Sequence, residues 1–217
     1  MPNYCENNIY ISAKTPNDLL KFVRKYLLEK GGSNGSLELD FNRIVHEPRS
    51  INECPPQYIN NNSNNIQKLK GRNWFNWYDW RCAYWGTKWN VNNKDSCFFS
   101  IDSIDEILTH NINNISIYAQ TAWSPPIPLL QEWQRQAQAM DPDILIEADY
   151  YEPGWGFAGE LHSDGSDIDV PFDSMDDDFR KWTIHNGYES VEHYMDLDAD
   201  EDIVHDADYY EDLENYE

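Results

Sequence analysis

Apolar positions along the first 160 residues recur with two alternating periods, and the switches between those periods mark out the elements. Ile9 and Ile11 alternate with Asn8, Tyr10 and Ser12, which predicts a first strand. Thr15, Pro16 and Asp18 then supply a capping hydroxyl, a proline at the first helical position and an acid at the third, a variant of the capping box. Leu19, Leu20, Val23, Tyr26 and Leu27 follow at helical spacing, and Gly31 and Gly32 end that helix. Leu37, Leu39 and Phe41 return to alternation and predict a second strand running toward Ile44.

Residues 49–71, rich in Asn, Pro and Ser, predict a loop or insertion. Next comes an aromatic stretch, residues 73–90, which holds five of the nine tryptophans. Trp74, Trp77, Tyr78, Arg81, Tyr84 and Trp85 recur at three and four, predicting a helix with most rings on one face, capped by Asn73 and broken at Gly86. A strand over 96–103 and a short helix over 102–110, with Ile104, Ile107 and Leu108 inward, follow. Ile115 and Ile117 lead a strand into Trp123, and Ser124 with two prolines caps a helix carrying Leu129, Leu130, Trp133, Ala137 and Met140. Residues 144–151 form the next strand, and 152–159 turn into another.

The order strand, helix, strand, insertion, strand, helix, strand predicts an α+β fold, a ferredoxin-like βαββαβ sandwich with both helices on one face of the sheet. On this expectation residues 1–162 form the ferredoxin-like domain, with an aromatic-rich helical insertion at about 46–112. Residues 163–217 form an acidic C-terminal extension, partly helical.

Charge separates those two parts. The 217-residue chain carries a formal net charge of −23. Residues 161–217 hold 20 acidic and 2 basic side chains, net −18, and residues 1–160 hold 19 and 14, net −5. A segment so acidic repels a phosphate backbone or an anionic membrane and attracts a basic protein surface at a fast, salt-sensitive rate. No run approaches the length of a membrane span, and the first residues lack the basic and apolar regions of a signal peptide, so a cytoplasmic protein is expected. Cys5, Cys54, Cys82 and Cys97 are scattered without a CxxC pair and read as buried free thiols.

The six histidines share no short metal-ligand spacing, with His185 and His193 the best placed near acids. Asp196, Asp198, Asp200 and Asp202 alternate like the start of a calcium loop, but Glu201 and Ala207 stand where that loop requires Gly and Glu. Neither a GxGxxG nor a P-loop occurs, and no thiol has a histidine signature beside it. Carboxylates such as Asp149 and Glu152 occur close together, which says little in so acidic a chain. The expectation is therefore a chain with no catalytic residues, metal or cofactor, and not an enzyme.

Two features remain open between packing and binding. The tryptophan cluster packs a core or edge, or else offers rings for base stacking beside the modest basic patch of Lys68, Lys70, Arg72, Arg81 and Lys88. The acidic segment either solvates the chain or docks. Residues 174–184 suit a short helix with Asp176, Asp177 and Asp178 at its N-terminal end. Beyond it acids are interleaved with Ile203, Val204, Tyr209, Tyr210, Leu213 and Tyr216, apolar groups that a purely solvating tail does not need.

Four motifs bear a family likeness: residues 1–7; Trp85, Gly86, Thr87, Lys88, Trp89 and Asn90; Thr121, Ala122, Trp123, Ser124, Pro125 and Pro126; and Tyr151, Glu152, Pro153 and Gly154 with Phe157, Ala158 and Gly159. In order and spacing they resemble the YubB-type ferredoxin-like domain family of bacteriophage and plasmid proteins, over roughly residues 1–160, with Tyr4 where that family usually has Trp. The resemblance implies a fold and a setting on mobile genetic elements. It brings no settled activity.

Resemblance and charge together give the expected function: a phage or plasmid accessory protein that inhibits a host defence complex of the CRISPR or restriction type. It would present carboxylates where nucleic-acid phosphates bind. The partner is then a basic nucleic-acid-binding protein or complex of the host. The residues expected to contact it are Asp176, Asp177, Asp178, Asp196, Asp198, Asp200, Glu201, Asp202, Asp206, Asp208, Glu211 and Asp212, with Tyr209 and Tyr210 as desolvated anchors. The alternative is a nucleic-acid-binding module that uses the sheet or the tryptophan helix and is autoinhibited by the acidic tail.

Overall fold

A computed structural model describes residues 3–29, 35–50, 52–55, 59–60 and 74–171. The chain divides into two compact units, Met1–Phe172 and Asp173–Glu217, and all described residues belong to the first. That unit is α+β, built on a six-stranded antiparallel sheet.

The central strand β1 (Tyr4–Ser12) pairs antiparallel with β5 (Asn114–Ala122) on one side and β6 (Leu145–Glu152) on the other. Outside β5 lies the short β4 (Cys97–Phe99), and beyond β6 come β7 (Phe157–Leu161) and β8 (Asp167–Pro171). Odd residues of β1 and β5 and even residues of β6 face a helical layer of α1 (Pro16–Tyr26) and α5 (Ile127–Met140). Ile9, Ile11, Ile115, Ile117, Ile146 and Ala148 are buried there. Phe22 and Tyr26 of α1 meet Trp133 of α5 at ring-centroid distances of 5.4 and 5.9 Å, locking the helices to each other over the sheet.

α1 begins as its sequence dictates. The Thr15 hydroxyl accepts the Asp18 N–H at 3.3 Å and donates to the Asp18 carboxylate at 2.6 Å, and Leu19, Leu20, Val23, Tyr26 and Leu27 are all buried. α5 buries the expected Leu129, Leu130, Trp133 and Ala137 and leaves Met140 exposed. Its start differs from expectation: Pro126 stands at the N-cap with no side-chain cap, and the Ser124 hydroxyl instead donates to the Gly86 carbonyl at 2.5 Å.

Residues 37–44 are not the second strand of the sheet. Leu37 makes a single bridge to Leu28, and Phe41–Ile44 form a short helix, α2, because Asp40 accepts the Asn42 N–H and Phe41 and Ile44, three apart, both turn into the core. The sheet takes that strand from Cys97–Phe99, inside the stretch predicted as an insertion. Between them Ile59–Asn60 (β2) and Trp74–Phe75 (β3) pair as a two-stranded ribbon, so Trp74 is strand rather than helix.

The aromatic helix, α3 (Trp77–Tyr84), starts one turn later than predicted and is capped by Asn76, not Asn73. Its buried residue is Trp80, packed on Tyr84 and Trp85, while Trp77 and Tyr78 of the predicted inner face are exposed. The rings of α3 spread over an arc of about 160°, from Trp80 through Tyr84 and Trp77 to Tyr78 at about 100° per residue, so periodicity does not choose which edge of that arc turns inward. The choice is made by Phe41, which meets Trp85 edge-on at 5.7 Å, and by the Val45 carbonyl, which accepts the Trp85 indole N–H at 2.9 Å. The helix after β4 shrinks to Glu106–Thr109 (α4), with Ile104 and Ile107 buried and Leu108 exposed. The last strand, β8, was hidden from pattern reading in an acidic tract, and it carries the sheet past the expected boundary at residue 162.

Candidate functional site

The acidic and tyrosine residues expected to bind a partner, Asp176 to Asp212, lie outside the described residues, as do His185, His193, Lys68, Lys70 and Arg72. Within the described unit, two surfaces carry the chemistry.

The first is the tryptophan cluster. Trp80 and Trp85 are core, whereas Trp77, Tyr78 and Trp89 are exposed. The Lys88 ammonium sits 4.5 Å from the Trp89 ring centroid, 4.7 Å from Trp123 and 5.9 Å from Tyr78. Trp123 reaches this place with a φ of 71°, a left-handed conformation that costs a bulky residue about 1–2 kcal/mol, and its N–H donates to the Asn3 carbonyl at 3.0 Å. Arg81 forks onto Glu47 at 2.9 and 2.7 Å and lies 5.0 Å from both Trp77 and Trp85. Of the two described cations of the expected basic patch, Arg81 is matched by the Glu47 carboxylate and Lys88 keeps its charge among the rings, so this patch offers a phosphate backbone one uncompensated cation.

The second surface is the sheet face turned away from the helices. Register aligns one row across all six strands: Phe98, Tyr118, Asn8, Asp149, Glu160 and Ile168. Tyr10 pairs with Ser116 and Glu147, and Glu6 with Gln120 and Tyr151, in the neighbouring rows. Phe98 stacks on Tyr118 at 6.0 Å, and Gln120 donates to the Tyr118 hydroxyl at 3.0 Å. Asp149 accepts from Asn8 at 2.9 Å and from the Tyr10 hydroxyl at 2.7 Å. Phe98 is 56% exposed, Tyr4 46% and Tyr10 42%, so large rings stand in water on the β4, β5 and β1 side. The six strands contain seven carboxylates and no Lys, Arg or His, and four of the seven, Glu6, Glu147, Asp149 and Glu160, belong to this face.

Burial raises the Asp149 carboxyl above its ordinary range, and the facing Glu160 adds to the rise while the bonds from Tyr10 and Asn8 oppose it. Tyr10 is pushed up by burial and by its bond to Asp149. Glu160 has His162 at 4.0 Å. Asp149 and Glu152, neighbours in sequence, fall on opposite faces of β6 and form no pair. Glu152 is fully buried on the helix side, with one oxygen taken by the Trp155 N–H and the other without a partner. Burial, then Glu152, holds the nearby Cys5 thiol well above its ordinary value.

Among the described residues no three His, Cys, Asp or Glu side chains gather as a metal site, and no helix is long and apolar enough to cross a membrane. A cavity of about 550 Å³ between α2 and α5 is lined by Ile44, Val45, Tyr84, Pro128 and Gln131 with Glu132 and Arg135, which pair with each other at 2.6 Å. It brings together no nucleophile and base.

The sequence pattern gave no sign of the open-face group. Alternation places Glu6, Asn8 and Tyr10 on one side of β1, but only register sets them beside Asp149, Glu147 and Tyr118, more than a hundred residues away. Compared with protein-family models, curated proteins and solved structures, the chain matches none.

Proposed function

We propose that this chain is a non-enzymatic accessory protein that occupies a basic, nucleic-acid-binding surface of another protein. The observation that carries this reading is the distribution of charge. Net −18 is concentrated in residues 161–217, and the sheet strands before them add five further carboxylates, Glu6, Glu147, Asp149, Glu152 and Glu160, without one basic side chain. Carboxylates so arrayed offer a guanidinium or ammonium the charge-assisted bonds that phosphates otherwise provide. Direct nucleic-acid binding is the weaker reading. The sheet face would repel a phosphate backbone, and of Arg81 and Lys88 only Lys88 keeps an uncompensated charge.

The core is best read as a ferredoxin-like sandwich. The order β4-β5-β1-β6, with α1 and α5 together on one face, supports this, with β7 and β8 as an added hairpin. The resemblance to the YubB-type family supports a setting on a phage or plasmid, with action in the host cytoplasm. Its target is then a defence complex of the CRISPR or restriction type.

The test is capture from bacterial lysate by the full chain, with nuclease treatment and a salt series, followed by competition on the captured protein. A nucleic-acid-binding protein that survives nuclease, leaves with salt and is displaced by its own nucleic acid is the expected result. Capture of nucleic acid by the chain itself would refute the proposal, and so would a captured protein indifferent to nucleic acid. Replacing Asp196, Asp198, Asp200, Glu201 and Asp202 by their amides should weaken capture; unchanged affinity removes the tail from the mechanism.

A further inference from the structure

We infer that the open face of the sheet is a docking surface for an arginine-rich segment of that basic partner, with Phe98, Tyr118 and Tyr10 as the stacking rings and Glu6 and Glu147 as the paired carboxylates, Asp149 being buried and already bonded to Asn8 and Tyr10. This inference rests on the basic-partner reading above and assigns it a second contact, apart from residues 173–217.

Three observations select the occupant. Phe98 and Tyr10 are exposed, and Tyr118 stacks on Phe98 at 6.0 Å, so the face offers accessible rings. Cross-strand register sets a carboxylate beside two of the three rings: Tyr118 faces Asn8 and stands diagonal to Glu6, and Tyr10 faces Glu147, while Phe98 extends the ring surface by stacking on Tyr118. None of the six described strands of the sheet supplies a cation to neutralise them. A ring beside a carboxylate suits a guanidinium, which stacks its plane on the ring while its N–H fork engages the acid. An ammonium, compact and strongly hydrated, uses only the charge. The negative charge of this face opposes a nucleic acid as its occupant.

The experiment uses the full-length chain and fluorescein-labelled nona-arginine and nona-lysine, followed by anisotropy at about 0.15 M salt, where charges beyond ~8 Å are screened. The face variant combines Glu6→Gln, Glu147→Gln and Phe98→Ala. A matched control combines Asp102→Asn, Asp105→Asn and Trp77→Ala, removing as much charge and one exposed ring from loops and α3. Nona-arginine should bind more tightly than nona-lysine, and the face variant should lose about tenfold or more for nona-arginine against less than about threefold for the control. Should the face variant lose its circular dichroism signal, Glu147→Lys alone, at an exposed position, replaces it with the same expected direction. Equal losses in face variant and control, or equal affinity for the two peptides, overturn the inference. If the tail amide variant then still loses binding, the basic-partner reading stands without this face. Binding of single-stranded DNA in preference to nona-arginine overturns both.

Discussion

Removing the Trp85 side chain tests whether the tryptophan stretch is divided between core and surface as the structure has it. Trp85 is fully buried, meets Phe41 and Trp80 edge-on at 5.7 Å each, and donates its indole N–H to the Val45 carbonyl at 2.9 Å. A buried ring of this class removes about 150–250 Å² from water, worth ~4–6 kcal/mol at ~25 cal/mol per Å². Compactness of the unfolded chain trims that figure, while the orphaned carbonyl adds about 1 kcal/mol. Trp85→Ala should therefore cost about 4 kcal/mol and lower Tm by ~10 °C, at ~2–4 °C per kcal/mol in a domain of this size. Trp77, 40% exposed with Arg81 beside it at 5.0 Å, should cost no more than ~1 kcal/mol on the same change. Urea unfolding followed by far-ultraviolet circular dichroism measures both without relying on tryptophan emission. A loss below about 1 kcal/mol for Trp85→Ala, or equal losses at the two sites, would refute the division.

Three further outcomes are expected. Because the folded state raises the Asp149 carboxyl, it holds that proton more tightly than the unfolded chain, so the residue's contribution to stability falls as pH rises through the window above 3.8. Wild type should accordingly lose ground to Asp149→Asn between about pH 4 and pH 7 in urea titrations, and a pH-independent difference would contradict the burial argument. Of the four thiols, half-buried Cys82 should react with Ellman's reagent in the native protein far faster than buried Cys5, Cys54 and Cys97, the last held up at about 12 by burial; four equally fast thiols would exclude this packing. Gly86→Ala should cost about 1–3 kcal/mol, read as a fall in Tm, since φ is +78° and a Cβ would lie 2.6 Å from Pro128 Cδ and 2.9 Å from the Pro125 carbonyl.

Where local chemistry is sufficient, the sequence was legible. α1 announces itself through Thr15, Pro16 and Asp18, and β1 and β5 through strict alternation, because each signal lies within one element. Residues 37–44 misled because alternation over three positions is too short to distinguish a strand from an extended lead into a capped turn of helix. Only Asp40, as a cap, argued for the turn. The inward edge of α3 is not legible because its rings form one broad arc, and the choice between the Trp80 edge and the Tyr78 edge depends on Phe41 and Val45, more than thirty residues earlier. β8 is not legible because its acids continue into the acidic composition of the residues that follow. The open face could not be read at all, since its members come from strands joined only by register.

That face also bears on how the proposed partner would act on stability. Asp149 and Glu160 stand directly opposite each other in the β6–β7 pair, and like charges so placed oppose the pairing. Tyr10 and Asn8 offset the repulsion by donating to Asp149, but hydrogen bonds from neutral groups leave the net charge where it was. A guanidinium docked on the face would neutralise part of it. Binding and folding are then linked: a ligand that binds the folded chain stabilises it according to its concentration relative to Kd, by about 2.7 kcal/mol at a hundredfold excess over Kd. Nona-arginine should raise Tm of the wild type more than that of the Glu6→Gln, Glu147→Gln, Phe98→Ala variant. A peptide acting only through the charge of residues 173–217 would shift both alike, and the difference between the two shifts therefore measures how much of the acidity in the sheet serves the partner.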